Sequence, residues 1–211
     1  MEKLDFIYKR SSVRKFSDKD VDNSDLEEIL KAGMNAPSAK NMQNWKFVVV
    51  RNQEKINDIK NVVEKKHKEI IEKINNNEKT KRFEKMINYY TFFDKAPVLI
   101  LFFASKYSSS TANLLKEACD EEEYNLFKNA DPGMQSIGAA IENVLLASAS
   151  LGYGTCWMSG PNFAINEIHE YLDLDFDGYN LVAMSPLGVP KNKNVSSPKR
   201  KDFSEVVKFI D

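Results

Sequence analysis

The run PGMQSIGAAIENVLLASASLG, Pro132 to Gly152, constrains the fold more than any other stretch. Met134, Ile137, Ile141, Val144 and Leu145 recur at helical spacing on one face, and most of the rest is alanine, serine and glycine. Side chains this small let other backbones approach closely. The run therefore predicts a buried central helix, ended at Gly152.

Strands must pack around that helix. PVLILFFA, from Pro97, is nearly continuous and apolar, which predicts a strand buried on both faces. WKFVVVR, from Trp45, TCWM, from Thr155, and NLVAMSPLGV, from Asn180, read as further strands. SDLEEILKAGM predicts a helix capped by Ser24, with Glu27 completing a capping box. Gln53 to about Asn77 reads as a helix with a thin apolar stripe and a solvated outer face. NNNEKTK, from Asn75, reads as a loop, and a second helical stretch runs through Met86 and Tyr90. The acidic EACDEEEYN, from Glu117, reads as a solvated helix end, and Ile165, Ile168 and Leu172 mark one further short helix. The order mixes helices and strands without strict alternation. That predicts an α+β architecture with a central sheet, as a single domain over 1–211.

Composition narrows the function. Hydrophobic residues make up 42% of the 211, enough for a sizeable core. A formal net charge of −1 argues against nucleic acid or an anionic membrane as partner. The charged N-terminal stretch lacks a signal-like apolar core, and no apolar run is long enough to span a bilayer. A soluble cytoplasmic protein is expected. Two cysteines do not make a disulfide framework, and two histidines in charged helical sequence do not suggest a metal site.

Four clusters could carry chemistry. In RSSVRKF, Arg10 and Arg14 offer forked donors and Ser11 and Ser12 offer hydroxyls, a set suited to phosphate; the alternative is a turn leading to an edge strand. In APSAKNMQNWKF, Ser38, Lys40, Asn41 and Gln43 crowd a short loop after Pro37, a set suited to a heteroaromatic ring; the alternative is an ordinary polar loop. In GYGTCWMSGP, Ser159 and Gly160 put backbone amides at a strand tip, where Gly160 would let a flat ligand approach. Cys156 reads as a buried thiol rather than a nucleophile. In SSPKRKDF, Lys199, Arg200 and Lys201 form a cationic clump that would complete a phosphate clamp beside Arg10. There is no Walker A or GxGxxG pattern.

These four motifs, in this order, resemble the FMN-dependent nitroreductase family over nearly the whole chain. The resemblance implies a three-layer α/β/α sandwich with a mainly antiparallel sheet, forming an intertwined homodimer with FMN at the subunit interface. It implies that Arg10, Ser11 and Ser12 hold the phosphate or ribityl chain, with Lys199 and Arg200 closing the clamp. Arg14 would approach the pyrimidine edge. Pro37, Ser38 and Ala39 would come from the other subunit, and Asn41 and Gln43 would lie near the ring or ribityl. Thr155, Cys156, Trp157, Met158, Ser159 and Gly160 would lie along one ring face. No catalytic side chain is implied.

The implied activity is a ping-pong, two-electron reduction of nitroaromatics, quinones or related acceptors by NADH or NADPH. A reductive dehalogenase, a flavin-cleaving enzyme or a non-catalytic flavin-binding protein are the alternatives. Two positions depart from the family pattern. Asn44 replaces the proline of Gln-Pro-Trp, which predicts a looser turn. Asp202 replaces the proline of Arg-Lys-Pro, which sets an acid beside the clamp. The charged helical region 53–91 has no assigned role.

Overall fold

The computed structural model describes residues 2–74, 77–192 and 198–210. In chain order they form α1 (Asp5–Lys9), α2 (Asn23–Met34), β1 (Trp45–Val50), α3 (Gln53–Lys73), α4 (Asn77–Glu84) and α5 (Ile87–Thr91). Then come β2 (Val98–Ser105), α6 (Ser110–Ala118), α7 (Glu121–Asn129), α8 (Pro132–Ser150), β3 (Gly154–Thr155), α9 (Ile165–Leu172), β4 (Tyr179–Gly188) and α10 (Phe203–Val206).

The apolar strand organises the molecule. Successive side chains of a strand point to opposite faces. On β2, Val98, Ile100, Phe102 and Ala104 join one core with α2 and α8, while Leu99, Leu101 and Phe103 join a second with α3 and α9. Helices thus cover both faces, giving the three layers expected. The sheet order is β1-β2-β4-β3, every pairing is antiparallel, and a bulge falls between Phe102 and Phe103. Each fully buried Leu, Ile or Phe contributes about 1.5–3 kcal/mol, so this strand is a large share of the cohesion.

α8 lies in the first core, with Ile137, Ile141, Val144 and Leu145 buried. It packs tightly on α2: a Cβ on Gly33 would stand 2.6 Å from Val144 Cγ2. Gly152, at φ +84°, turns the chain out of it. Met134 is 47% exposed, because it sits at the helix start beyond the sheet's cover.

Several local expectations are corrected. α2 starts at Asn23 with Asp22 at its N-cap, so Ser24 lies inside the helix and caps nothing. The predicted loop from Asn75 falls partly outside the described residues, and from Asn77 onward it is helix α4. The acidic stretch straddles a boundary: α6 ends at Ala118, and Asp120 caps α7 by accepting from the Glu123 N–H. The expected TCWM strand is only the two-residue β3 plus one bridge, Met158 to Met184. Among the described residues no helix is long and apolar enough to cross a membrane.

Candidate functional site

The RSSVRKF segment runs along the edge of the sheet, held by isolated bridges at Ser12 and Phe16, and presents a cationic face. Ser12 bridges Thr155 in parallel, and the Val13 N–H donates to the Thr155 carbonyl at 2.8 Å. The Ser17 N–H donates to Val189 at 2.9 Å. Val13 and Phe16 turn inward against Ala96. Alternation then leaves Ser12 and Arg14 on the other face. Gly154 permits the close pairing, since a Cβ there would lie 2.6 Å from Val13 Cγ2. Sequence segments more than 140 residues apart are thereby brought together as expected.

Arg10 leaves the end of α1 and reaches Glu142 of α8, Nε to Oε1 at 3.8 Å. Arg14 lies against α5: its guanidinium stands 5.3 Å from the centre of the Tyr89 ring and 5.9 Å from that of Phe92. Its Nη2 donates to the Tyr89 hydroxyl at 3.4 Å. Both arginines and Ser12 border Cys156, which is buried. Burial pushes that thiol up, against the opposing pull of Arg14, a Ser12 hydrogen bond and Arg10. The net rise keeps it protonated near neutrality, a structural thiol as expected.

From Cys156 the chain is fixed by backbone contacts. The Cys156 N–H donates to Ser185 Oγ at 3.3 Å, and Met158 and Met184 exchange two bonds of 2.9 Å. Trp157 is 42% exposed beside Gly138 of α8. Gly160 does not open a space for a ligand: a Cβ there would stand 2.6 Å from Tyr90 Cδ1, so the glycine accommodates this chain's own aromatic ring.

The second polar cluster is strained and well held. Lys40, Asn41 and Gln43 have φ of 53°, 52° and 46°, a region that costs non-glycine residues of order 1–3 kcal/mol each. Bonds offset this. Ser38 Oγ accepts from the Gln43 N–H at 3.0 Å, and the Ala39 N–H donates to Ser136 Oγ of α8 at 3.0 Å. Gln43 also donates to Asn41 Oδ1 at 3.2 Å. Pro37 leads into this loop. Asn44 overturns the expectation of a looser turn, because its side chain donates to the Ser105 carbonyl at 2.9 Å while the Ser105 N–H returns a bond of 3.0 Å.

The two clusters do not meet within one chain. The loop touches α8 at Ser136 and the arginines touch it at Glu142. Six positions on an α-helix are about 9 Å along its axis and about 120° around it. In the fourth cluster, Lys199 and Arg200 are exposed. Ser196 lies outside the described residues. Asp202 caps α10 in a capping box with Glu205, so it serves that helix rather than facing the clamp.

Sequence reading missed Tyr89, Tyr90, Phe92 and Glu142, all of which shape this site. Helical periodicity identifies α5 but gives no sign that its aromatics meet Arg14, some 75 positions earlier. It also passed over His67, buried in α3, whose Nε2 bonds the Phe83 carbonyl at 2.9 Å and whose ring lies 4.2 Å from that of Phe83. This contact fixes α4 and the approach to α5.

In chemical terms this face offers the Arg10 and Arg14 guanidinium groups, the Ser12 hydroxyl and a backbone segment near Tyr89 and Phe92, while alternation turns Ser11 to the side of Val13. That donor set fits a phosphate-bearing planar group. The family model described as Nitroreductase family matches residues 7–189. A protein of Archaeoglobus fulgidus, provisionally named NADH dehydrogenase/NAD(P)H nitroreductase, is 31% identical over 208 residues, covering 97% of this chain and 90% of that one. A BluB-like flavoprotein from Clostridium difficile 630 is 40% identical with a TM-score of 0.91, covering 100% of each chain. A nitroreductase with bound FMN from Bacteroides fragilis shares the fold at a TM-score of 0.71 and 21% identity, covering 100% of each chain.

Proposed function

The chain belongs to the nitroreductase family, and from that premise we propose that it is an FMN-dependent oxidoreductase working as a homodimer. In this reading one domain over 1–211 takes electrons from NADH or NADPH and reduces nitroaromatics, quinones or related acceptors. The observation that carries it is the pairing of Ser12 and Val13 with Thr155. It sets Arg10, Ser11, Ser12 and Arg14 along the same edge as the Thr155–Gly160 backbone.

Bound FMN supplies the redox chemistry, accepting two electrons from the donor and delivering two to the acceptor. The chain's own residues bind and orient. Arg10 and the serine hydroxyls would take the phosphate and ribityl oxygens, releasing Arg10 from its long contact with Glu142. Arg14 would hold positive charge against the electron-rich edge of the ring, where negative charge builds on reduction. Tyr89 and Phe92 keep that guanidinium from swinging into solvent.

A second copy completes the site. Pro37, Ser38, Ala39, Asn41 and Gln43 lie around α8 from the arginines, so they serve a partner's cofactor. Lys199 and Arg200, on an exposed tail, would close the clamp. Donor and acceptor then use one pocket in turn.

The test is the visible spectrum of the purified protein, followed by NADH and then NADPH without oxygen. A yellow protein bleached by either donor, and recoloured by menadione or nitrofurazone, is expected. Colourless protein that takes up no added FMN overturns the reading. Arg10→Ala should weaken FMN binding by roughly 1.5–3 kcal/mol, the cost of a lost charged hydrogen bond.

A further inference from the structure

A cleft of about 600 Å³ lies between the α6–α7 pair and the end of the sheet. None of the chemistry above uses it. Ala104 and Ser105 at the end of β2, with Asn180 and Val182 of β4, form its floor. Tyr107, Tyr124 and Phe127 supply aromatic surface, and Lys106 and Lys128 stand at its edge. Its volume falls within the range of small-molecule sites, roughly 300–1,000 Å³.

The charges in this cleft are unbalanced. Neither lysine forms an ion pair among the described residues. The carboxylate of Asp131, also in the lining, accepts from the Met134 N–H at 3.0 Å and caps α8. Asp131 holds that position at φ +36°, a strained conformation for a residue with a side chain. Tyr107 is fixed as well: a Cβ on Gly133 would lie 2.9 Å from Tyr107 Cβ, so this stretch presses on the first turn of α8. Position matters too. The paired Asn44–Ser105 bonds tie the cleft floor to the strained loop at 40–43.

We propose that this cleft binds a flat aromatic ring carrying a carboxylate or phenolate. Tyr107, Tyr124 and Phe127 take the ring. Lys106 and Lys128 take the anion as point-charge donors.

The probes are 4-nitrobenzoate and 4-nitrobenzyl alcohol, matched in ring and nitro group and differing in charge. Calorimetry on the oxidised, FMN-loaded protein at low salt should show the benzoate binding about tenfold tighter, a modest ratio because the lysines are solvent-exposed. Raising the salt should erode that ratio, and Lys106→Gln with Lys128→Gln should bring it close to one. Both lysines are exposed, so the variants should fold, which circular dichroism checks. Equal affinity for the two probes in the wild type, or a preference that survives the double variant, overturns the inference. Colourless wild-type protein would sink the parent reading instead, and the two failures are told apart by the spectrum alone.

Discussion

The layered body and the short helices at its margin are built on different terms. In the body, β2 gives alternate side chains to two cores, and α2, α3 and α8 each bury several residues against the sheet. At the margin, α1, α6, α7 and α10 bury none. They expose large apolar side chains instead, among them Tyr8, Leu114, Leu126 and Phe203, and beyond α10 the tail exposes Phe209 and Ile210, the last at 90%. Helices of this length are marginal alone in water, where most helical stability comes from a buried face. The body is therefore stabilised by its own chain, whereas the margin leaves its apolar side chains open to a further surface. In the proposed dimer that surface is the second copy.

The contrast can be broken at its strong end first. Phe102→Ala removes a fully buried ring that meets Phe47 edge-on at 5.4 Å. Urea unfolding should show a loss of about 3–5 kcal/mol. A loss no larger than that of a surface change would mean the body is not held as described.

The margin should respond differently. Phe209→Ser with Ile210→Ser leaves the unfolding of the body nearly unchanged, because neither side chain packs on it. The dimer should dissociate about tenfold more readily, which is about 1.4 kcal/mol, read by sedimentation. An unaltered dimer would remove the tail from the interface.

Where body and margin meet the site, effects are smaller. Tyr89→Leu removes the ring and hydroxyl that hold Arg14, and FMN binding should weaken by roughly 0.5–1 kcal/mol, while Tyr89→Phe keeps the ring and most of the affinity. Equal loss in both would place the effect in the hydroxyl bond rather than the stacking.

The smallest effect is in pH. Burial, then a 2.8 Å bond to Asp25, raises the Tyr153 hydroxyl above its ordinary 10.0 and ties the end of α8 to α2. With the folded value above the unfolded one, this stabilisation is whole below the unfolded pKa and is lost as pH climbs through the folded one. Between about pH 8 and pH 11 the urea midpoint should fall further in the wild type than in Tyr153→Phe.

Much of the body was legible because its signals are local. An unbroken apolar run marks β2, helical spacing marks α3 and α8, and the Arg10–Arg14 segment shows its donors openly. Where one local signal competed with another, reading failed. Ser24 and Glu27 satisfy the capping pattern, yet the N-cap lies two residues earlier at Asp22, whose N–H is directed at Tyr153 Oη at 3.4 Å. The departure at Asn44 looked like a loosened turn because its partner, Ser105, is 61 positions away.

By itself the sequence determined an α+β body with a central sheet, the central helix and the chemical character of the cationic edge, since neighbouring residues impose periodicity and charge wherever the chain lies. Only the tertiary structure decided that Tyr89 braces Arg14, that Tyr90 fills the space over Gly160, and that α8 parts the loop from the arginines. Those outcomes follow from side chains distant in sequence competing for the same volume, and no local pattern encodes which of them will occupy it.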